Sequence, residues 1–562
     1  MQRFVLAKRA WLVFFLLALA AYLYGLGNFP FVGPDEPRYA QVAREMLARG
    51  DMVTPTLAGQ NWFEKPALPY WTMMASYKLF GVGEGSARLS FALMGLLTVC
   101  ALYYLASRTE RTGSAQGELH WLSLSCAVVG ASSAGLLLFS HGVNFDIPLT
   151  LTTTVALACF FAQEVEEDTA RRRWLLSGFY SGAGASLLAK GLIGFIITFG
   201  VVTLYYLLRR AWPRREIFLS LAWGVPLALL VAATWYAPVI YRHGWAFVDE
   251  FFIQHHFARY TSNKYHHPQP FYFYLPVLLL MLLPWTPYLI ESAVTARRWR
   301  LREASALNKW RAFGLAWLLM PVLFFSVSGS KLPGYILPAL PGAVMLVGER
   351  LARTLRGEGG SASIRACGVL LILLAVGLGF YVKREGYPVM VCAAAAALPL
   401  VAAGLLALVL AKRRWLATVS IMCSMFLVII VGLECGIEKI SRRVSIAHAL
   451  SQASARGYGS APVYNLHTIE RTAEFYAAGR LQYGADGEPL RFEGATQAEE
   501  AARTSSSGAV LVIVPSEYAS QLTTYPPLET EVVDDNGDVA LIAVKIRKAD
   551  SNRDGQDEQD KE

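Results

Sequence analysis

The sequence predicts an α-helical polytopic membrane protein of about thirteen transmembrane helices, followed by a small α/β domain. Three observations carry that prediction. Of 562 residues, 54% are hydrophobic and 17% charged, more apolar surface than a water-soluble fold can hide. Apolar runs close to the roughly twenty residues needed to cross hydrocarbon recur from Trp11 to Val431. Beyond residue 436 the pattern changes to short strands and polar turns.

With Lys8 and Arg9 on the cytoplasmic side, the first span, about 10–27, runs outward and the others alternate. They are expected near 87–107, 119–139, 147–164, 174–190, 192–209, 217–240, 272–293, 311–328, 335–350, 364–382, 388–411 and 415–434. This register places the basic loops at Arg108 to Arg111, Arg171 to Arg173, Arg209 to Arg215, Arg297 to Arg311, Arg350 to Arg356 and Lys412 to Arg414 inside, as the positive-inside bias requires. The first run contains Ala18-Leu19-Ala20, which raises a cleaved signal peptide. Because further spans follow without a soluble interval, an uncleaved anchor is the simpler expectation.

The net charge of +9 lies in those short loops, so it reports topology and argues against a nucleic-acid partner. All seven cysteines lie in or beside apolar runs, and neither a disulfide framework nor a CxxC metal site is expected. No repeat relates two halves of the chain, which counts against a transporter.

The expected organisation is a membrane domain over 1–435, an α/β domain over 436–547 and a charged, disordered tail over 548–562. Within the membrane domain, 28–86 is interrupted by Glu45, Arg49, Asp51, Glu64 and Lys65 and reads as interfacial helices, and 241–271 reads as an outward loop. In the C-terminal domain, Ala461 to Tyr464 and Ala509 to Val514 read as strands, Ile469 to Ala478 as a helix, and Asp535-Asn536-Gly537 as the turn of a hairpin.

Several motifs on the outward side bear chemistry. Gly33-Pro34-Asp35-Glu36-Pro37-Arg38 presents two adjacent carboxylates after the first span. It is equally a helix start, with Asp35 as cap. In Trp62-Phe63-Glu64-Lys65-Pro66, Glu64 is a candidate metal ligand and Lys65 a candidate phosphate ligand. On a helix the two side chains would diverge and need not neutralise each other; a solvated pair under an aromatic belt is the plain alternative. Asp146 stands at the outer end of a span, where an acid is costly without a role or partner, and Lys190 at the end of another, able to snorkel or to bind phosphate. Gln254-His255-His256-Phe257-Ala258-Arg259 adds imidazoles suited to zinc and a guanidinium suited to phosphate, with surface histidines as the alternative. Ser328-Gly329-Ser330-Lys331-Leu332-Pro333-Gly334-Tyr335 makes a tight turn carrying Lys331 and Tyr335, or a plain helix connection. Singly these are ambiguous; together they gather cations on one expected face, which suits an anionic phosphate.

The stretches PDEPRYAQVAREML, NWFEKPALPYW, HHFARY and SGSKLPGYILP resemble the polyprenyl-phosphate-dependent glycosyltransferases of the bacterial inner membrane, and among them the lipid A 4-amino-4-deoxy-L-arabinose transferase family, over about 10–345. The resemblance implies a GT-C fold and an active site facing the periplasm. It also implies transfer of a sugar from undecaprenyl phosphate to a lipid A phosphate without a nucleotide, by a monomer in contact with membrane lipids. By motif, Asp35 is the implied catalytic carboxylate, with Asp146 as a weaker second. Glu64 and His256, or His255, form the implied site for a divalent metal, zinc first. Lys65, Arg259, Lys331 and Tyr335 are the implied ligands of the carrier phosphate, with Arg38 and Lys190 added less specifically. The doubled histidine departs from the family loop, so the ligand falls on either one. Two alternatives stay open: a relative that glycosylates protein or another glycan, and a lipid-sugar flippase that uses the same charges for binding.

Overall fold

The computed structural model describes residues 2–111, 121–258, 269–385, 387–436 and 443–547. The chain divides into two compact units: Met1–Phe29, Val42–Thr56 and Asn61–Ile437 form the first, and Pro30–Gln41, Leu57–Gln60 and Glu438–Glu562 the second. The second unit thus takes in a stretch of 28–86 that the sequence pattern assigns to the membrane domain. The expected tail, 548–562, lies outside the described residues.

The first unit is helical. Among the described residues, eight helices are long and apolar enough to cross a membrane, from Glu84–Arg111 to Arg414–Cys435. The other five expected spans are helical too, but each is shortened or diluted. The first, helix Gln2–Leu23, carries Arg3, Lys8 and Arg9 in its first half, helix Thr169–Lys190 opens on three arginines, and helix Ala306–Ser326 carries Lys309 and Arg311 in its first turns. The remaining two are broken. Ser133 separates Trp121–Ser132 from Ala134–Phe139, and residues 282–285 separate Tyr274–Met281 from Thr286–Ala296.

The two breaks meet each other. The Ala134 amide donates to the Leu283 carbonyl at 2.9 Å, and the Trp285 indole donates to Ser132 Oγ at 3.0 Å. Irregular backbone at membrane depth is tolerated where protein supplies the missing partners, and here one interrupted helix supplies the other.

Helix ends follow local chemistry. Asp168 caps Thr169–Lys190 by accepting from the Ala170 and Arg171 amides, and Ser305 caps Ala306–Ser326 through the Asn308 amide. Between Ala362–Glu385 and Tyr387–Val409, Gly368 and Gly404 face one another. A Cβ on Gly368 would stand 2.8 Å from the Gly404 carbonyl oxygen, the close approach that small residues permit between membrane helices.

Three expectations for this unit are corrected. Residues 241–258 are helical, not a loop: Arg215–Val248 turns at Gly244, whose φ of 57° breaks the helical path, and a π-helix follows over Asp249–Ala258. Cys392 and Cys435 form a disulfide, their Cα atoms 5.2 Å apart. Their spacing carries no signal, because it is the packing of one helix on another that brings them together. Finally, Glu64 and Lys65 lie in a bend, not on a helix.

The second unit holds a five-stranded sheet built from β1 (Val463–Leu466), β2 (Arg491–Phe492), β3 (Val510–Pro515), β4 (Leu528–Asp535) and β5 (Val539–Ile546), in the order β2-β1-β3-β5-β4. β1 runs parallel to β2 and β3, and the other pairings are antiparallel. Alternate residues of β3 face opposite cores. Leu511 and Ile513 pack with Ile446 and Leu450, and Val510, Val512 and Val514 with Ala498 and Ala502 of helix Ala495–Thr504. Burial on both sides explains why β3 is a continuous apolar run. The hairpin turn is where Asn536-Gly537 predicts it, with Asn536 Oδ1 accepting from the Val539 amide at 2.8 Å. The expected helix over 469–478 contracts to Ala473–Tyr476.

Candidate functional site

In the first unit, three motifs far apart in sequence close on one ion pair. Lys190, the last residue of its helix, donates to the Asp146 carboxylate, and its ammonium lies 4.6 Å from the centre of the Tyr335 ring. Both charged side chains are nearly buried, 11% and 13% exposed. Asp146 opens helix Asp146–Val165, but its carboxylate is not needed as the cap. Asn144 Oδ1 accepts from the Asp146 and Ile147 amides at 3.1 and 2.9 Å, which leaves the acid to face Lys190. Gly334 fits against the pair: a Cβ there would stand 2.9 Å from Asp146 Cγ and 2.8 Å from the Phe139 ring.

The Trp62–Pro66 motif joins the same region through its neighbours. Phe63 shares a buried cluster with Leu188, two residues before Lys190. Tyr70, on the helix after the motif, meets the Phe145 ring edge-on at 5.4 Å. Within the bend, Lys65 Nζ donates to Glu64 Oε1 at 2.7 Å, contrary to the expected divergence, because adjacent side chains in a bend can lie on one side. Lys331 sits in the expected turn, where its ammonium donates to the Ser328 carbonyl at 2.6 Å and the Gln269 carbonyl at 3.1 Å. In this arrangement Lys331 holds the turn together.

Asp35 and Arg38 belong to the second unit. Asp35 begins helix Asp35–Arg49 as predicted, is exposed, and makes no hydrogen bond or ion pair with described residues. Its neighbour Glu36 turns back on the preceding loop, where Glu36 Oε2 accepts from the Val32 amide at 3.1 Å. Arg38, expected at a phosphate, stands 3.4 Å from the buried Glu474 carboxylate. Arg471 donates to Glu474 at 2.8 Å and to Glu488 at 2.6 Å. The same segment steadies the loop before Asp35. The Phe31 amide donates to the Tyr476 hydroxyl at 2.7 Å, and the Phe31 and Phe475 rings pack edge-on at 4.8 Å. Burial pushes the Glu474 carboxyl above its ordinary range, against the pull of Arg38 and Arg471.

His255 and His256 lie on the described π-helix, but their side chains, and Arg259 altogether, are outside the described residues. Among the described residues no three His, Cys, Asp or Glu side chains gather as metal ligands. Sequence reasoning missed Glu250, which accepts from the Phe63 amide and feels the charge of Glu64; the one signal is its place in the same short segment as the histidines. It also missed Glu474 and Tyr476, in the stretch Ile469 to Ala478 that the pattern marks only as a helix.

The sequence profile of the family described as dolichyl-phosphate-mannose-protein mannosyltransferase matches residues 8–296. An undecaprenyl phosphate-alpha-4-amino-4-deoxy-L-arabinose arabinosyl transferase of Pseudomonas aeruginosa (strain UCBPP-PA14) is 33% identical over 374 residues, 66% of this chain and 64% of its own length. The match therefore spans less than two thirds of that relative. A transferase of the same name from Erwinia tasmaniensis is 31% identical over 446 residues, 75% of each chain. Among solved structures, ArnT from Cupriavidus metallidurans bound to undecaprenyl phosphate superposes with a TM-score of 0.75 at 25% identity, covering 95% of this chain and 98% of that one. The archaeal oligosaccharyltransferase AglB from Archaeoglobus fulgidus has the same fold, with a TM-score of 0.52 at 12% identity, 91% of this chain and 70% of that one.

Proposed function

This chain belongs to the dolichyl-phosphate-mannose-protein mannosyltransferase family and, within it, to the relatives named as undecaprenyl phosphate aminoarabinose transferases; on that premise we propose that it moves 4-amino-4-deoxy-L-arabinose from undecaprenyl phosphate to a lipid A phosphate. In this proposal it acts as a monomer of thirteen spans in the bacterial inner membrane, with its site and its α/β domain in the periplasm. The observation that carries the reading is the closure of Asp146, Lys190 and Tyr335 on one nearly buried ion pair. A cation held by a single acid can exchange part of that partnership for an arriving phosphate, whose charge it matches.

The chemistry follows from the leaving group. The bond between the sugar's anomeric carbon and the carrier phosphate breaks, a lipid A phosphate oxygen takes that carbon, and the carrier phosphate departs with an added negative charge. The acceptor is anionic at neutral pH, so a strong base is unnecessary. Stabilising the departing phosphate is the larger task, and it falls to Lys65, Lys190 and Arg259. Lys331 and Tyr335 shape the loop beside Lys190. Asp35, exposed and unpaired among the described residues, positions the acceptor or accepts its residual proton.

A divalent metal, zinc first, is part of the proposal. Glu64 with His256 or His255 would hold it, carboxylate and imidazole donors that suit zinc. Such an ion supplies positive charge next to the departing phosphate.

Purified protein in detergent, given labelled donor with lipid A or with peptide, tests the reading. Labelled lipid A, heavier by one aminoarabinose, is expected. Labelled peptide alone would move the acceptor to the protein class that the family description names. No donor consumption would favour a flippase and overturn the enzyme.

A further inference from the structure

At the end of the first unit that carries the basic loops, helix Leu340–Arg356 stops, Ala362–Glu385 starts, Tyr387–Val409 stops and Arg414–Val431 starts. Among these four ends lies a cavity of about 480 Å³, within the range of about 300–1,000 Å³ that holds small ligands. Arg356, Lys412, Arg413 and Arg414 line it, and no Asp or Glu does. The positive-inside bias accounts for cations in each loop. It does not account for two separate loops closing one concave surface whose charged residues are all cationic.

The walls are set and two charges are uncommitted. Arg414 donates to the Thr354 carbonyl at 2.6 Å, which fixes it to the end of the neighbouring helix. Gly357, at φ 92°, ends that helix and turns the chain aside. Trp415 is held edge-on against Trp121 at 6.2 Å. Arg356 pairs with Glu358 at 2.7 Å, outside the lining. The side chains of Lys412 and Arg413 are exposed and make no hydrogen bond or ion pair with described residues. Beside them, Val409 and Leu416 leave apolar surface uncovered, at 78% and 46% exposure.

We propose that this cavity binds the phosphate of an anionic phospholipid headgroup from the adjoining leaflet. Basic pockets between membrane helices on the side of the basic loops are suited to such headgroups. A tryptophan at the rim is the usual interfacial anchor, and the uncovered Val409 and Leu416 give acyl chains a path that a free phosphate would not use. The proposal concerns the face opposite the expected site and stands apart from the transfer reaction.

The test is native mass spectrometry of the purified full chain, titrated with cardiolipin, phosphatidylethanolamine or inorganic phosphate. Cardiolipin is expected to stay bound and to resist inorganic phosphate. K412A/R413A is expected to weaken it about thirtyfold, two cations near an anionic headgroup being removed, while R300A/R302A, which removes as much charge from another basic loop, and the charge-conserving K412R leave it unchanged. Equal loss in both double variants would reduce the effect to diffuse charge and overturn the site. Full displacement by inorganic phosphate, or equal retention of phosphatidylethanolamine, would overturn the lipid assignment. Thermal unfolding of each variant separates lost binding from lost fold.

Discussion

One helical run, Pro333–Arg356, touches a buried acid near each end, and the two acids are held differently. At Tyr335, Asp146 has Lys190 as its ion-pair partner. At the other end, Glu349 meets Arg311 at 2.7 Å, Arg350 at 3.5 Å and Arg353 at 3.9 Å. Glu164, also buried, takes hydrogen bonds from the Tyr206 and Tyr205 hydroxyls at 2.7 and 3.2 Å, with Arg209 at 3.9 Å. A charge surrounded by several fixed partners is committed to the fold, because no incoming ligand can match all of them. A charge with one counter-ion pays less to trade it. The contrast separates structural charge from exchangeable charge within one set of helices.

The contrast is stretched furthest by Asp35, an acid without a partner among the described residues. Asp35→Asn is expected to lower turnover by about 10²–10⁴, the range of a lost acid-base group, while shifting stability by less than about 0.5 kcal/mol. Donor turnover and thermal unfolding measured on the same preparation decide it, and full activity would remove Asp35 from the mechanism.

Next come the two buried acids. Glu349→Ala strands the buried Arg311 and Arg350, while Arg353 keeps Glu358 at 3.5 Å, and is expected to cost about 3–5 kcal/mol, read as lost thermal stability or lost folded yield. Lys190→Met strands one acid at a comparable cost. Adding Asp146→Asn should restore most of that stability and none of the activity, since replacing both partners of a buried pair is often close to neutral. If K190M/D146N turns over like the unmodified chain, the pair is structural and the contrast fails.

Gly334→Ala presses a methyl group into the Asp146 carboxylate. Overpacking of this kind costs about 1–3 kcal/mol, and kcat/KM for the donor should fall with it, whereas Gly432→Ala, where a Cβ meets nothing within 4 Å, should leave both unchanged.

The smallest effect is a pH dependence in the second unit. Glu474 holds its proton above the ordinary glutamate range, so between the unfolded and folded values the native state binds more protons than the unfolded one, and stability falls as pH rises through that window. Thermal unfolding of the full chain against pH should show the decline, and Glu474→Gln should flatten it. A decline that persists in the variant would assign it to another group.

Most of the fold was legible because it rests on local patterns. Apolar length marks the spans, and Asn536-Gly537 marks the hairpin. Proline and two acids mark the start of Asp35–Arg49. What escaped depends on distant packing. The helix break at Ser133 has no proline to announce it, only Gly130, Gly135 and a Ser-Ser pair that many intact membrane helices tolerate, and the Cys392–Cys435 pairing exists only once two helices are side by side. The site was legible as a list of charged residues and not as a set of partnerships. Lys190 with Asp146, Lys65 with Glu64 and Arg38 with Glu474 are all fixed by tertiary geometry, and Lys331 takes backbone carbonyls that no side-chain pattern displays. Asp35, which the motif alone left as helix cap or catalytic acid, emerges without a partner among the described residues.

The facing interruptions at Ser133 and Leu283 carry a consequence for inheritance. A change that straightened either helix would remove the partner of the other's exposed peptide group, at a depth where no water can replace it. Neither interruption can then be repaired alone. Ser132 and Trp285, 153 residues apart, should behave as a single heritable trait: in any descendant of this chain, the two segments are expected to be kept together or to change together.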